Sequence, residues 1–405
     1  MKKLTTLIIV TLITCGTVFA VDITWTSQVN NAEWGIAGNW NPSQVPGDGD
    51  KAILNNGFSG TYTMYLPYDG ASCGELDLPD ASTCPFRINP WHPARDLTFD
   101  NGTGNATITT GGDVLTLGNS GSTPYTNYVL SNLDIDIGAN LIAHAVFAGD
   151  KDITLNSGYY FQIYNAWPNF TGRLIGNGGR IQLQTATPVP NGEVIIQNGC
   201  RLTADSTINQ DMTLNGAWIF RYGNGAENQG DVKIVGISPS RLYYYDNPYT
   251  FSGDVSGTYR FFVDRAGDTL NVLGSISPGT NTIGKLLLDK DDGTLNIGTG
   301  GDHVTLNAEI NGTTSDLLSI TNTALDLANI DLEIFITGST AFNETNTIIT
   351  CNVMPINLGS MSVNWNGGKS GTVFQVGNDV MVTDVIPEPA FLGILVLAAL
   401  ALKKK

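Results

Sequence analysis

Charged residues are scarce in this 405-residue chain, at 14% of the total, and histidine is scarcer, at three. His92, His144 and His303 stand far apart and none falls in HExxH spacing, so neither a zinc-protease helix nor a histidine relay is expected. No G-x-S-x-G elbow and no CxxC pair occurs, which argues against serine-hydrolase, zinc-ribbon and thioredoxin-like chemistry. Away from the two ends no window carries a 3.6-residue apolar stripe, so amphipathic helices are not expected. Basic residues number 20 against 37 acidic, a formal net charge of −17, with no basic stripe to neutralise phosphates. Nucleic acid is therefore not an expected partner, and no cofactor is implied.

Cysteine is also sparse. Cys15 lies in a leader-like segment, leaving Cys73, Cys84, Cys200 and Cys351. In an oxidising compartment Cys73 and Cys84 could staple a local loop, worth about 3 kcal/mol in a chain-entropy account. Four small buried thiols are the alternative.

What the chain does have is glycine, 47 residues of it, together with abundant asparagine and threonine and 41% hydrophobic residues. This composition suits strands and turns, and the regularly placed Val, Ile and Leu argue for a packed core over disorder. Short runs alternate apolar with polar residues at 113–118, 133–138, 152–156, 180–184, 193–197, 212–215, 269–273, 294–298 and 303–307. That is the period of a half-buried strand. The runs at 113, 133 and 152 recur about every twenty residues, one solenoid coil. Asparagine beside the strands, as at Asn156, Asn198, Asn215, Asn271, Asn296 and Asn307, suits turns and amide ladders. The expected fold is all-β, a right-handed parallel β-helix. A tandem β-sandwich is the alternative, because alternation alone does not separate parallel from antiparallel pairing.

The two ends differ from the body. Lys2 and Lys3 precede an uncharged run through Leu7, Ile8, Ile9 and Val10, and Val18-Phe19-Ala20 closes it with small residues. This reads as a secretory signal peptide, residues 1–20, cleaved after Ala20. Leu12-Ile13-Thr14-Cys15-Gly16 competes as a lipobox, although threonine departs from the usual residue before the cysteine. At the other end Pro387-Glu388-Pro389 leads into the uncharged run Ala390–Leu402 and then Lys403, Lys404 and Lys405. As a helix that run spans only about 20 Å against a bilayer core near 30 Å, so it is a marginal single membrane helix. The arrangement resembles the PEP-CTERM sorting signal of Gram-negative envelope proteins. The resemblance implies transient retention in the inner membrane, processing by an exosortase near the Pro-Glu-Pro, and delivery to the cell surface or an exopolysaccharide matrix.

Two further stretches carry a related likeness. Trp25, Trp34, Asn39-Trp40, Pro46, Asp48, Asp50 and Ala52 resemble the opening module of PEP-CTERM and autotransporter-like repeat proteins. That likeness implies tryptophans capping the first coil of a β-solenoid; sugar stacking on them is the functional alternative. Residues 274–340 are similar to the terminal part of autotransporter-like passenger repeats. No translocator barrel follows, so self-export is not expected. The organisation expected is thus a leader (1–20), a Trp-rich cap (21–57), a solenoid (58–310), its C-terminal β-rich end (311–384) and a sorting tail (385–405).

Few residues offer chemistry. Tyr243, Tyr244 and Tyr245, with Phe251, Tyr259, Phe261 and Phe262 nearby, could form a sugar-stacking face. Arg260, Arg265, Asp264 and Asp268 are the nearest approach to a polysaccharide-lyase set. Asp289 and Asp291 before Gly293 begin like a calcium loop but lack its later ligands, so a solvated acidic turn competes; Asp48 and Asp50 form a similar pair. Gly368-Lys369-Ser370 imitates a P-loop end, yet Val363 replaces the first glycine and a strand-like run follows. The function expected is non-enzymatic: a structural or adhesive surface protein. The alternative is a glycan-binding or polysaccharide-degrading β-helix.

Overall fold

The computed structural model describes residues 20–386, except 56, 58–59, 80–83, 91–94, 121–123, 205–206, 222–225, 237, 244–247, 280–282, 299–301, 312, 338–344 and 367–369. The leader before Ala20, the lipobox around Cys15 and the tail with Pro387, Glu388, Pro389 and Lys403–Lys405 lie outside the described residues. Among the described residues no helix is long and apolar enough to cross a membrane.

The chain is almost entirely β, and its strands pair in parallel with the equivalent strand of the next coil. Leu133–Ile137 lies on Ile153–Gly158, followed by Arg173–Gly176, Glu193–Gln197, Met212–Asn215 and Val232–Ile234. Among the described residues these belong to a 17-stranded first face. A 16-stranded second face includes Leu141–Ala143, Tyr160–Ile163, Arg180–Leu183, Arg201–Ala204, Trp218–Arg221, Ser240–Tyr243 and Arg260–Val263. Two four-stranded blocks, starting at Ala71–Cys73 and Ala226–Asn228, make a discontinuous third face. Successive coils visit the first and second faces in turn, and the third where its blocks are present, giving a solenoid-like arrangement. A tandem β-sandwich requires antiparallel hairpins throughout, and the coil-over-coil parallel register removes that alternative.

Register also corrects the spacing. The run at 113–118 forms Leu115–Leu117 on the second face, whereas those at 133 and 152 are on the first. The apparent twenty-residue interval between 113 and 133 therefore joined two different faces. Coil steps on the first face range from 18 residues (Val194 to Met212) to 32 (Glu75 to Thr107), because long turns are inserted towards both ends of the stack, as from Ile276 to Leu306 and from Asp331 to Ser362.

Inward residues stack in columns. Ile23, Ala52, Leu76, Ile108, Ile135 and Leu155 succeed one another in register, all fully buried. Burying such a side chain contributes roughly 1.5–3 kcal/mol, and a long column lets every coil gain it against both neighbours. Polar ladders run alongside. Gln162 donates to Gln182 at 2.8 Å and Asn296 to Asn271 at 2.9 Å. Before the first-face strands, the carboxylates of Asp211, Asp231 and Asp254 accept the backbone N–H of Asp231, Asp254 and Ser275 in the following coil. The side chains thus repeat the coil period that the backbone sets.

The ends close differently. Trp25, Trp34 and Trp40 are buried together, with Trp40 edge-on to Trp25 (4.8 Å) and to Trp34 (4.9 Å). The other end finishes in an antiparallel hairpin, Ser370–Val376 with Asp379–Ile386, laid against Asn346–Cys351. Ser370 opens a strand where a phosphate loop would need a helix; Gly368 and Lys369 are outside the described residues.

Cys73, Cys84, Cys200 and Cys351 are all free thiols. The Cys73–Cys84 staple is therefore not formed: Cys73 ends a third-face strand and Cys84 precedes the second-face strand Phe86–Pro90, each packed into the core. Burial pushes the Cys200 thiol up to about 12 and Cys351 to about 11, so neither is a ready nucleophile.

Asp316 is nearly buried, and its carboxylate accepts the N–H of Gly284 (2.8 Å) and of Glu309 (2.9 Å). Desolvation outweighs those bonds and raises its pKa from 3.8 to about 6. Between those values the folded chain holds a proton that the unfolded chain releases, so stability falls as pH rises through the window. Asp316→Asn removes this term. The difference in Tm between variant and parent is expected to shift in the variant's favour from pH 4 to pH 7, and parallel Tm curves would contradict the assignment.

Candidate functional site

The second face presents an unusual outer surface. Its strands alternate, so Phe161, Ile181, Leu202, Ile219 and Leu242 point inward while their neighbours point out. Register aligns Tyr160, Arg180, Arg201, Trp218, Arg241, Phe262 and Asp289 in a single outer row, one residue per coil. Adjacent members stand about 4.8 Å apart through the backbone spacing. A second row runs Gln162, Gln182, Thr203, Phe220 and Tyr243.

Arginine and aromatic side chains interleave across these rows. The Arg180 guanidinium lies 4.3 Å from the Tyr160 ring and that of Arg201 5.2 Å from Phe220. Arg241 lies 5.0 Å from Phe262, and Arg260 is 3.6 Å from the same ring. Arg265 sits 5.4 Å from Tyr243, whose ring is 5.2 Å from Phe220 and 6.0 Å from Trp218. Each such contact contributes about 0.5–1 kcal/mol where exposed. Arginines lie over Phe220 and Phe262, which are only 8% exposed although they belong to the outer rows.

Charge pairing along the face is uneven. Arg241 pairs with Asp264 at 2.6 Å, and Arg260 pairs with Asp289. Arg180 donates to the Tyr160 hydroxyl, but neither Arg180 nor Arg201 makes an ion pair among the described residues. Beside them an open groove of about 580 Å3 is lined by Gly158, Gly179, Gly199, Tyr159, Tyr160, Arg180 and Arg201. The arrangement can bind planar anions and apolar ring faces. It shows no nucleophile and base in partnership.

The candidates expected from sequence are distributed as follows. Tyr243 lies on this face; Tyr244 and Tyr245 are outside the described residues. Tyr249, Phe251 and Phe261 are core residues, so the aromatic run divides between inside and outside. Arg260 and Asp264 pair with Asp289 and Arg241 and not with each other, and Asp268 is buried. The carboxylate of Asp289 is engaged by Arg260 and by the Thr321 hydroxyl, while Asp291 stands exposed in the turn. A cation there would have to displace an arginine. Asp50 accepts the N–H of Val21 and of Gly47, both at 3.0 Å, which fixes the cap turn. No group of three or more metal-ligating side chains occurs among the described residues. His144 packs on Tyr164 at 4.3 Å, His303 sits 3.3 Å from Asp331 several coils away, and His92 is outside the described residues.

Arg180, Arg201, Trp218 and Arg241 were not among the sequence candidates. A signal for the arginines existed, because Arg180, Arg201 and Arg241 are spaced by about one and two coil lengths. Net charge concealed it: an acidic chain was read as having no basic stripe, whereas one short stripe is present. Comparison with protein-family models, with curated proteins and with solved structures gives no match for this chain.

Proposed function

We propose that this chain is an exported, non-enzymatic β-solenoid acting as a structural and adhesive element at the cell surface or in an exopolysaccharide matrix. The observation that carries the adhesive part is the outer row from Tyr160 to Phe262, where three arginines and three rings lie in register. A rigid parallel ladder spaces these groups without loop motion, which is what a repetitive polymer requires of its partner. The solenoid is taken as right-handed, in keeping with the strong preference of parallel crossover connections.

Export and sorting rest on the termini. The leader ending at Ala20 and the Pro387-Glu388-Pro389, Ala390–Leu402, Lys403–Lys405 tail support secretion followed by exosortase processing from the inner membrane. Deleting Pro387–Pro389 is expected to leave the protein in the inner-membrane fraction of its native host. Unchanged release to the surface, followed by immunoblotting of fractions, would overturn the sorting assignment.

A further inference from the structure

We infer that the groove floored by Gly158, Gly179 and Gly199 binds a carboxylate-bearing sugar unit of a linear acidic polysaccharide, with Arg180 and Arg201 clamping the carboxylate. The inference rests on the adhesive reading above and adds to it a site and a ligand class.

Four observations converge. Arg180 and Arg201 are direct register partners on adjacent strands, an arrangement of like charges that costs stability. In a chain with 37 acidic residues, Arg173, Arg241 and Arg260 have carboxylate partners, yet these two stacked arginines do not. An anion from outside relieves the repulsion, and guanidiniums suit a planar carboxylate through paired N–H donors. Beside the arginines, three glycines at successive turns leave a floor of bare backbone. Above Gly199 a Cβ would meet nothing within 4 Å, so that part of the floor opens directly to the groove. Tyr159 is 61% exposed at the rim and offers a ring face to an apolar sugar face.

Spacing selects a polymer of low charge density. Coils repeat every 4.7–4.9 Å or so, close to the length of one sugar ring along a chain, so a glycan laid along the axis meets one coil per unit. Nucleic acid fits less well. It carries about one charge per 1.7 Å as a duplex and about one per 3.4 Å as a single strand, both denser than one per coil. A molecule of net charge −17 therefore repels it more strongly than an acidic glycan with one charge per sugar.

The test is calorimetric titration of the full-length protein in detergent micelles with polygalacturonate, dextran and oligo(dT). Polygalacturonate is expected to bind, more weakly as NaCl rises, and dextran is expected not to bind. Arg180→Gln with Arg201→Gln is expected to weaken polygalacturonate at least tenfold, while Arg180→Lys with Arg201→Lys retains part of the affinity. Circular dichroism and Tm of each variant show that the fold is kept. Unchanged affinity in the Gln pair, absence of polygalacturonate binding, or equal binding of oligo(dT) would overturn the inference. Binding is measured on purified protein, so its failure is distinguishable from failure of export, which cell fractionation reads separately.

Discussion

Trp40→Ala is expected to lower the unfolding free energy by roughly 3–5 kcal/mol, the range for removing a large buried aromatic. Trp40 is 2% exposed and holds the cap together: its ring meets Trp25 and Trp34 edge-on, and its indole N–H donates to the Trp34 carbonyl at 2.7 Å. Trp25 in turn packs on Tyr62, and Tyr62 on Phe86, which carries the contact into the next coils. A cavity here uncovers the first coil, and in a stack whose units touch only their neighbours the damage should spread inward from that end. Urea unfolding measures the total. Amide hydrogen exchange locates it: protection should fall over residues 22–66 while the strands at 212–215 and 232–234 keep theirs. A tryptophan that served only to stack sugars on the surface would cost little stability, so a loss below about 1 kcal/mol would return that function to the cap.

The sequence made the architecture legible where chemistry repeats with the coil. Leu133–Ile137, Glu193–Gln197 and Met212–Asn215 coincide with alternating runs because half-burial imposes a period of two. Asn271 and Asn296 were readable as a ladder because an amide can bond its copy one coil away. The third-face strands Thr269–Val272 and Thr294–Ile297 also fall in alternating runs, whereas Val146–Ala148 does not, since it is apolar throughout and shows no alternation. Likewise the second-face strand Leu115–Leu117 was grouped with first-face strands, because no local feature of a strand says which side of a coil it occupies. The outer face was harder still. Tyr160, Arg180, Arg201 and Trp218 become neighbours only through register, and register follows from turn lengths that vary between coils. Tyr243 drew attention as part of a run of tyrosines, yet its role depends on Phe220 and Arg265, each about one coil away in sequence.

Gly158→Val is expected to remove about 3 kcal/mol of stability or more, whereas Gly199→Ala should cost only about 1–2 kcal/mol, the penalty of a left-handed residue. The two glycines line the same groove and both have positive φ, +103° and +76°. Their surroundings differ. A Cβ on Gly158 would lie 1.4 Å from the carbonyl oxygen of Ile137 in the preceding coil, and that oxygen belongs to the first-face ladder. Relief requires the backbone to move, so ladder hydrogen bonds are lost together with the core column through Ile135 and Leu155. The close approach arises from a bulge: Ile135 pairs with Leu155 but Asp136 with Ser157, leaving Asn156 as the extra residue that swings Gly158 under Ile137. That same bulge sets where Tyr159 and Tyr160 emerge, and so it fixes the groove's rim to the hydrophobic core. Gly199 has no atom within 4 Å of an added Cβ, which would project into the groove. Urea unfolding paired with polygalacturonate titration separates the two: Gly158→Val should show the larger loss of stability, and Gly199→Ala should lose binding with the smaller one. If Gly199→Ala binds as the parent does, the groove floor is not where the polymer lies, and the contact moves toward Trp218 and Tyr243.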